Sequence, residues 1–446
     1  MIILWTDSLI FLLVLVSIAS FFYVLHKPQW QRPLEKIVRN KTGMLSLLVL
    51  LFFISIGLLD SLHFKSNQSN SHEIISVLDY CADTIKSHSE KTYSAPFATH
   101  LYSKEIILGD NGSKHWAHPR LVYGGAHLQH PESEYKKDIA LKTFIGFAKS
   151  SLIFVLIGAV CFATARFMDK TIVLNSVGKA LLLLTFVLFT SSYTLIYLSS
   201  YYHVMGTDKV GEDVFYQAIK SIRTGLVIGF LTTLVMLPLA IVFGIMAGFF
   251  RGWVDDIIAY IYTTLNSIPS VLLIAASILM VQVYVANHPD SFTNPLLRAD
   301  MRLLFLCLIL GVTSWTGLCR SLRAETLKLR EMEYVQAAQA LGVKRAMILY
   351  RHILPNVMHI VLISVVLDFS SLVLAEAVLS YINIGVDPTT YSWGNMINNA
   401  RLEMAREPIV WWSLTASFLF MFSLVLAANL FADCVSDAFD PRRSRT

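Results

Sequence analysis

Charge is scarce in this 446-residue chain: Asp, Glu, Lys and Arg make up only 15% of it, against about a quarter in soluble domains. With 55% hydrophobic residues and a mean hydropathy of +0.58, that scarcity excludes an ordinary soluble domain and puts most of the chain in lipid. Cysteine is scarce too. The five (Cys81, Cys161, Cys307, Cys319 and Cys434) make no CxxC and no Cys/His metal spacing, and only Cys81 falls in a long polar segment. A disulfide framework is excluded. No Walker A loop occurs, since "GDNGSKH" (109–115) has its glycines and lysine at the wrong spacing, and no Ser/His/Asp arrangement is discernible. The chain is therefore expected not to be an enzyme by itself. The first apolar run lacks a basic flank and a small-residue cleavage site, so it reads as a span and not a signal peptide. The net charge of +5 is dispersed over short loops, a distribution that orients membrane proteins and does not point to nucleic acid.

What is present is a series of apolar runs of roughly 20 residues, the length that crosses the hydrocarbon layer. Nine fit: 4–25, 44–62, 146–165, 178–200, 222–250, 257–286, 303–319, 359–380 and 409–431. The fold class is all-α polytopic. Lys27, Arg32, Lys36, Arg39 and Lys41 in 26–43, Arg166 and Lys170, Arg251, the seven Lys and Arg residues of 320–358 and the closing "RRSRT" all fall on one side if there are nine spans. That side is the cytoplasm. The N-terminus is then outside and the C-terminus inside, with Arg298 and Arg302 counting against. The outer side receives 63–143, where Ile74, Leu78, Cys81 and Ile85 trace a helical stripe and "LVYGGAHL" reads as strand–turn–strand.

One polar stretch stands apart: "EYVQAAQALGVKRAMILYRHILPN" (333–356). Tyr334, Ala337, Ala338 and Leu341 share one helical face, Gly342 breaks the run, a second short helix carries Met347, and Pro355 ends it. Glu331 and Glu333 near its start suit a helix's positive end. A helix lying in the headgroup layer would bury Trp, Phe or Leu. This face is largely alanine, which suits a knob fitting a groove on another protein.

These residues carry a resemblance. "QAAQALG…HILP" resembles the EAA motif in membrane subunits of type I ABC importers. "GTDKVGEDVF" (206–215), "GFFRGWVDDIIAYIYTTLNSIPSVLL" (248–273), "SLRAETLKLREMEYVQAAQALG" (321–342), "YRHILPN" (350–356) and "LAEAVLSYINIGVDPTTYSWGNMINNAR" (374–401) come in the order of the second permease subunit of dipeptide, oligopeptide and nickel importers, and "VRNKTGMLSLLVLLFF" (38–53) resembles that subunit's first span. The resemblance implies a permease core, bacterial inner-membrane location and a coupling helix at 331–352 received by a cytoplasmic ATPase. It further implies a second related permease subunit, two ATPase subunits that bind ATP and Mg, an extracytoplasmic binding protein, and peptide cargo. No cofactor is expected in this chain, and lipid is the remaining partner. The chain departs from the family at Gln336 (Glu in the motif), Glu212 (Arg), Tyr216-Gln217 (Ser-Arg), and Tyr260 and Thr263 (Arg and Asp). The family subunit has six spans. The expected organisation is thus an extra helix in 1–26, a basic segment and first family-like span in 27–62, a periplasmic loop domain in 63–143, two inserted helices in 144–205, and the core in 206–446.

Other candidates lie along the path. Asn266 and Pro269 interrupt the sixth span and free carbonyls that need polar partners or a wet cavity. Asp368 sits mid-span and Glu376 nearer the outer end, where ionisable groups face a cavity or partner. "GVDPTTYSWGN" (385–395) is expected to fold back along the outer mouth. Eight of thirteen histidines lie between 63 and 130, including His115/His118 and His127/His130; these pairs raise a metal reading, against a solvated loop of no fixed geometry. Nickel or antimicrobial peptide cargo, an ATP-independent transporter, and an envelope-interaction role for the enlarged outer region are the alternatives.

Overall fold

In lipid an apolar run can satisfy its backbone only as a helix or a closed barrel. The computed structural model, which describes residues 4–26, 28–65, 74–108, 114–167, 175–288 and 295–439, takes the helical solution. Its elements run α1 (Trp5–Leu25), α2 (Pro28–Arg39), α3 (Lys41–Ser61), β1 (His63–Lys65), β2 (Ile74–Ser76), α4 (Val77–Cys81), α5 (Asp83–Ser87), β3 (Glu105–Leu108), β4 (Lys114–Ala117), α6 (Pro131–Phe167), α7 (Ser176–Ser199) and α8 (Val214–Phe250). They continue as α9 (Trp253–Ser267), α10 (Ser270–Asn287), α11 (Pro295–Arg330), α12 (Glu333–Ala340), α13 (Arg345–Ile348), a π turn (Leu349–Ile353), α14 (Leu354–Tyr381), α15 (Trp393–Glu403) and α16 (Trp412–Phe439).

Among the described residues eight helical segments are long and apolar enough to cross a membrane, one fewer than expected. The expected first span is present as α1, a predominantly apolar helix of 21 residues. The expected sixth span is two helices, because Pro269 cannot continue the ladder and caps α10 after α9 has ended at Ser267.

Contacts divide the chain into two compact units. The first comprises 1–2, 39–223 and 391–424. Asn40 starts α3 by accepting hydrogen bonds from Thr42 N (3.0 Å) and Gly43 N (3.3 Å). A capping box between Ser76 and Asp79 starts α4 after Ile74, so Ile74 lies on β2 and not on a helix, and Cys81 is exposed while Ile85 is buried. The expected Ile74–Ile85 stripe is therefore broken. β1 pairs antiparallel with β2, and β3 with β4. The expected strand–turn–strand at 121–128 is a run of turns. The N–H groups of Val122, Tyr123 and Gly124 donate to the Glu90 carboxylate at 2.9, 2.8 and 3.2 Å, so they are not available for a ladder.

Glu90 is the hub of this region. His203, almost fully buried, lies between Asp213 (Nδ1 to Oδ2, 2.8 Å) and Glu90 (Nε2 to Oε1, 3.4 Å). Burial pulls the imidazole's pKa down, but the two carboxylates outweigh it and hold it at about 9. Burial would raise Glu90, yet His203 and the three backbone donors bring it to about 2. Gly211 (φ +84°) lies against it so closely that a Cβ would sit 1.8 Å from the Glu90 carbonyl oxygen. Two departures from the family pattern touch each other: Gln217 Nε2 donates to Glu212 (3.1 Å) as well as to Asp208 (2.8 Å), and the Tyr391 hydroxyl also donates to Glu212 (3.2 Å). Tyr216 donates to Asp79 at 2.7 Å, and Lys220 bridges Asp79 and Asp60.

The second unit comprises 3–38, 224–390 and 425–446. Its centre is the contact of α8 with α11. Gly244 and Gly248, spaced as GxxxG, let the helices touch: a Cβ on Gly244 would stand 2.8 Å from the Cys319 carbonyl, and one on Gly248 2.6 Å from Thr326 Cβ. Around this contact cluster the buried side chains Met236, Ile245, Trp315, Leu322, Val357 and Val361.

Candidate functional site: the helical loop between α11 and α14

Glu331 and Met332 close α11 with turn bonds to Lys328 O (3.1 Å) and Leu329 O (3.2 Å), and α12 starts at once. It ends in a Schellman motif: Val343 N donates to Ala338 O (3.1 Å) and Gly342 N to Gln339 O (3.0 Å), with Gly342 at φ +73°. α13 and the π turn lead into α14, where Pro355 occupies the first turn and needs no N–H.

The loop has two sides. Val335, Ile348 and Ile353 are fully buried and Ala338 nearly so, all in the α8–α11 core. Facing away are Leu341, 84% exposed, Tyr350, 72%, and Met347, 50%, beside Tyr334 and Ala337. The expected face is thereby split. Tyr334, Ala337 and Leu341 point outward, whereas Ala338 turns inward because Val335, one turn before it, draws that edge into the core. Val343 and Tyr350 on the outward side, and Val335, Ile348 and Ile353 on the inward side, were not singled out from the sequence. The Val335–Ala338 spacing was the signal available.

Polar ties fix the loop and the adjoining end of α11 to α8, α9 and α14. Arg251, itself at φ +55°, reaches Glu331 at 2.6 Å, and Arg330 Nη1 donates to Phe249 O at 2.7 Å. Arg323 holds Asp255 with two hydrogen bonds. Gln336 Nε2 donates to Glu331 O at 3.2 Å, and Asn356 Nδ2 donates to the Tyr334 hydroxyl at 3.2 Å. Glu333 is exposed in the first turn of α12.

The other candidates stand separately. Asn266 accepts a hydrogen bond from Thr316 (3.0 Å) one turn before the α9–α10 break at Pro269. Glu376 is buried and accepts from Ser380 at 2.6 Å, and Asp368 is half-buried on the same helix. His118 bonds Leu101 O (2.9 Å) and His127 bonds Asp138 (2.7 Å). Among the described residues no group of three or more His, Cys, Asp or Glu side chains is placed to hold a metal ion. The stretch 109–113 lies outside the described residues.

Residues 240–445, which include the whole loop, match the family described as binding-protein-dependent transport system inner membrane component. A protein of Brucella suis biovar 1 named as a peptide permease is 31% identical over 246 residues, 54% of this chain and 74% of that protein. The chain belongs to this permease family. The permease is also similar to the dipeptide transport system permease protein DppC of Lactococcus lactis (28% over 242 residues, 54% of this chain) and to the glutathione transport system permease protein GsiD of Pectobacterium atrosepticum (29% over 240 residues, 54% of this chain). It spans 64% of the length of the first and 73% of the second. It is a multi-pass inner-membrane component and not itself an ATPase.

Proposed function

We propose that this permease is the membrane-spanning subunit of an ATP-driven type I importer for di- or oligopeptides. Paired with a related permease subunit, it forms a path between the two. An extracytoplasmic binding protein delivers cargo, and two cytoplasmic ATPase subunits supply ATP and Mg chemistry. The observation that carries this reading is the two-sided loop at 331–353. Its inward side is packed into the permease's own core, and its outward side offers Leu341, Met347 and Tyr350 to a partner.

Such a loop acts as a lever. A partner that moves Leu341 moves Ala338 and Val335 with it, because α12 is a rigid helix of about two turns closed by Gly342. Val335 and Ile348 then push on the α8–α11 core, while α14 follows through the π turn. The peptide assignment rests on the names of the relatives, which specify dipeptide, oligopeptide and glutathione transport. Asp368 and Glu376 on α14, with the opened ladder at Asn266–Pro269, are proposed to line the path.

The loop end of α11 is assigned to the cytoplasm. The other end of this 36-residue helix, about 54 Å away at 1.5 Å per residue, carries Asp300, which accepts hydrogen bonds from Thr6 at the start of α1. It also carries Arg302, paired with Asp387 of the 385–395 segment. Both contacts support an extracytoplasmic N-terminus and an outer-mouth position for that segment, and a C-terminus on the inside follows when α1 is counted with the eight segments as a ninth span. The reading is tested by reconstituting the permease with its ATPases and binding protein. Peptide uptake that requires ATP and disappears in Leu341→Asp supports it; uptake indifferent to ATP overturns it.

A further inference from the structure

The hairpin of α6 and α7 has two unlike sides. The helices close at Gly146, where a Cβ would stand 3.2 Å from the Tyr197 ring and 3.3 Å from Thr194. On one side Lys142 lies over the Tyr201 ring (3.7 Å to its centroid) and Lys149 over Tyr197 (4.9 Å). Ala140, Phe144 and Phe147 recur at i, i+4 and i+7, about half a turn from those lysines. On that side the helices part around a groove of about 760 Å³, lined chiefly by Phe144, Phe147, Phe186, Val187, Thr190 and Thr194.

The groove offers no free hydroxyl donor to a polar ligand. Its hydroxyls are spent on their own helices: Thr143 donates to Ile139 O (2.7 Å), Thr190 to Phe186 O (2.7 Å), Ser191 to Leu188 O (3.1 Å) and Thr194 to Thr190 O (2.7 Å). A peptide backbone laid there would lose its carbonyls' hydrogen bonds to water and find no free hydroxyl donor to replace them. A third helix would need small residues at the contact, yet Phe144 and Phe147 stand 68% and 48% exposed on the rim. One turn beyond Ala140, on the same face, is exposed Lys136, followed by exposed Lys137. Of the nearby carboxylates, Asp138 is held by the Tyr202 hydroxyl and by His127, each at 2.7 Å, while Glu134 is exposed on the preceding turn.

We infer that this groove binds an acyl chain of an anionic phospholipid from the leaflet beside the start of α6, with the phosphate at Lys136 and Lys137. An apolar slot ending in two cations matches a lipid tail and its headgroup. Each lysine near an anionic headgroup is worth roughly a fivefold preference.

The test reconstitutes the full permease complex in nanodiscs of equal phosphatidylglycerol and phosphatidylcholine, releases it into mild detergent, and counts retained lipids by native mass spectrometry. Phosphatidylglycerol should be retained, and Lys136→Gln/Lys137→Gln should lower its preference over phosphatidylcholine at least tenfold. Ala140→Trp/Val187→Trp, which fills the groove from its rims, should abolish retention of either lipid. Unchanged retention in both variants, or a polypeptide displaced by the groove-filling variant in place of lipid, overturns the inference. Should the groove-filling variant not assemble, the surface lysine pair still decides.

Discussion

Arg323 of α11 holds Asp255 of α9 through both arms, Nε to Oδ1 at 2.5 Å and Nη2 to Oδ2 at 2.7 Å. The pair ties α9 to the half of α11 that carries the loop. Asp255→Ala should destabilise the permease by about 1–3 kcal/mol, toward the low end because Arg323 is 30% exposed. Thermal unfolding of the purified complex measures it. Asp255→Arg/Arg323→Asp should recover most of the loss, whereas a role for Asp255 unrelated to Arg323 would leave the double variant as weak as the single.

Two neighbouring apolar residues should fail in opposite ways. Leu341→Asp, at an 84% exposed site, should change permease stability by no more than about 0.5 kcal/mol while abolishing co-purification of the proposed ATPases. Ile348→Ala, at a fully buried site, should destabilise by about 2–5 kcal/mol with its outward face untouched. Paired stability and pull-down measurements separate the two effects. Loss of stability in Leu341→Asp would contradict the assigned orientation.

At Gly342 a Cβ would meet nothing within 4 Å, so the φ of +73° alone sets the penalty for substitution. Gly342→Ala should then lose about 1–2 kcal/mol, and Gly342→Asn less, because asparagine tolerates the left-handed region. Transport rates ranked Gly, Asn, Ala would agree; equal rates for all three would not.

The His203 cluster predicts a pH window. His203 has a folded pKa of about 9, raised from 6.5, so its contribution is complete below about pH 6.5 and fades as pH rises through 9. Glu90 has a folded pKa of about 2, lowered from 4.5, so its contribution is complete above about pH 4.5 and fades as pH falls through 2. Amide-exchange protection at residues 121–125 should therefore peak between about pH 4.5 and 6.5, after correction for intrinsic exchange. His203→Ala strands two buried carboxylates and should destabilise this region by about 3–5 kcal/mol.

Much of this architecture was legible in sequence, with failures that have physical causes. α11 was expected over 303–319 but runs Pro295–Arg330. Hydropathy registers the oily middle, while the flanks are charged and paired off through Asp300 with Thr6, Arg302 with Asp387 and Arg323 with Asp255. Gly342 marked the end of α12 because only a residue at ease with positive φ closes a helix that way. Which edge of α12 turns inward was not legible. Tyr334, Ala337, Ala338 and Leu341 form one stripe, and the Trp315 and Leu322 side chains of the core that buries Ala338 come from α11. The expected turn at 121–128 was recognised but mispaired, since its acceptor, Glu90, lies some 30 residues upstream.

The central claim is tested most directly by disulfide-range crosslinking from Leu341→Cys in the assembled complex. Crosslinking to a nucleotide-hydrolysing subunit, with a yield that changes on adding ATP, is the predicted result. Labelling of Leu341→Cys by a membrane-impermeant thiol reagent applied outside intact cells, with no crosslink to such a subunit, would contradict the account.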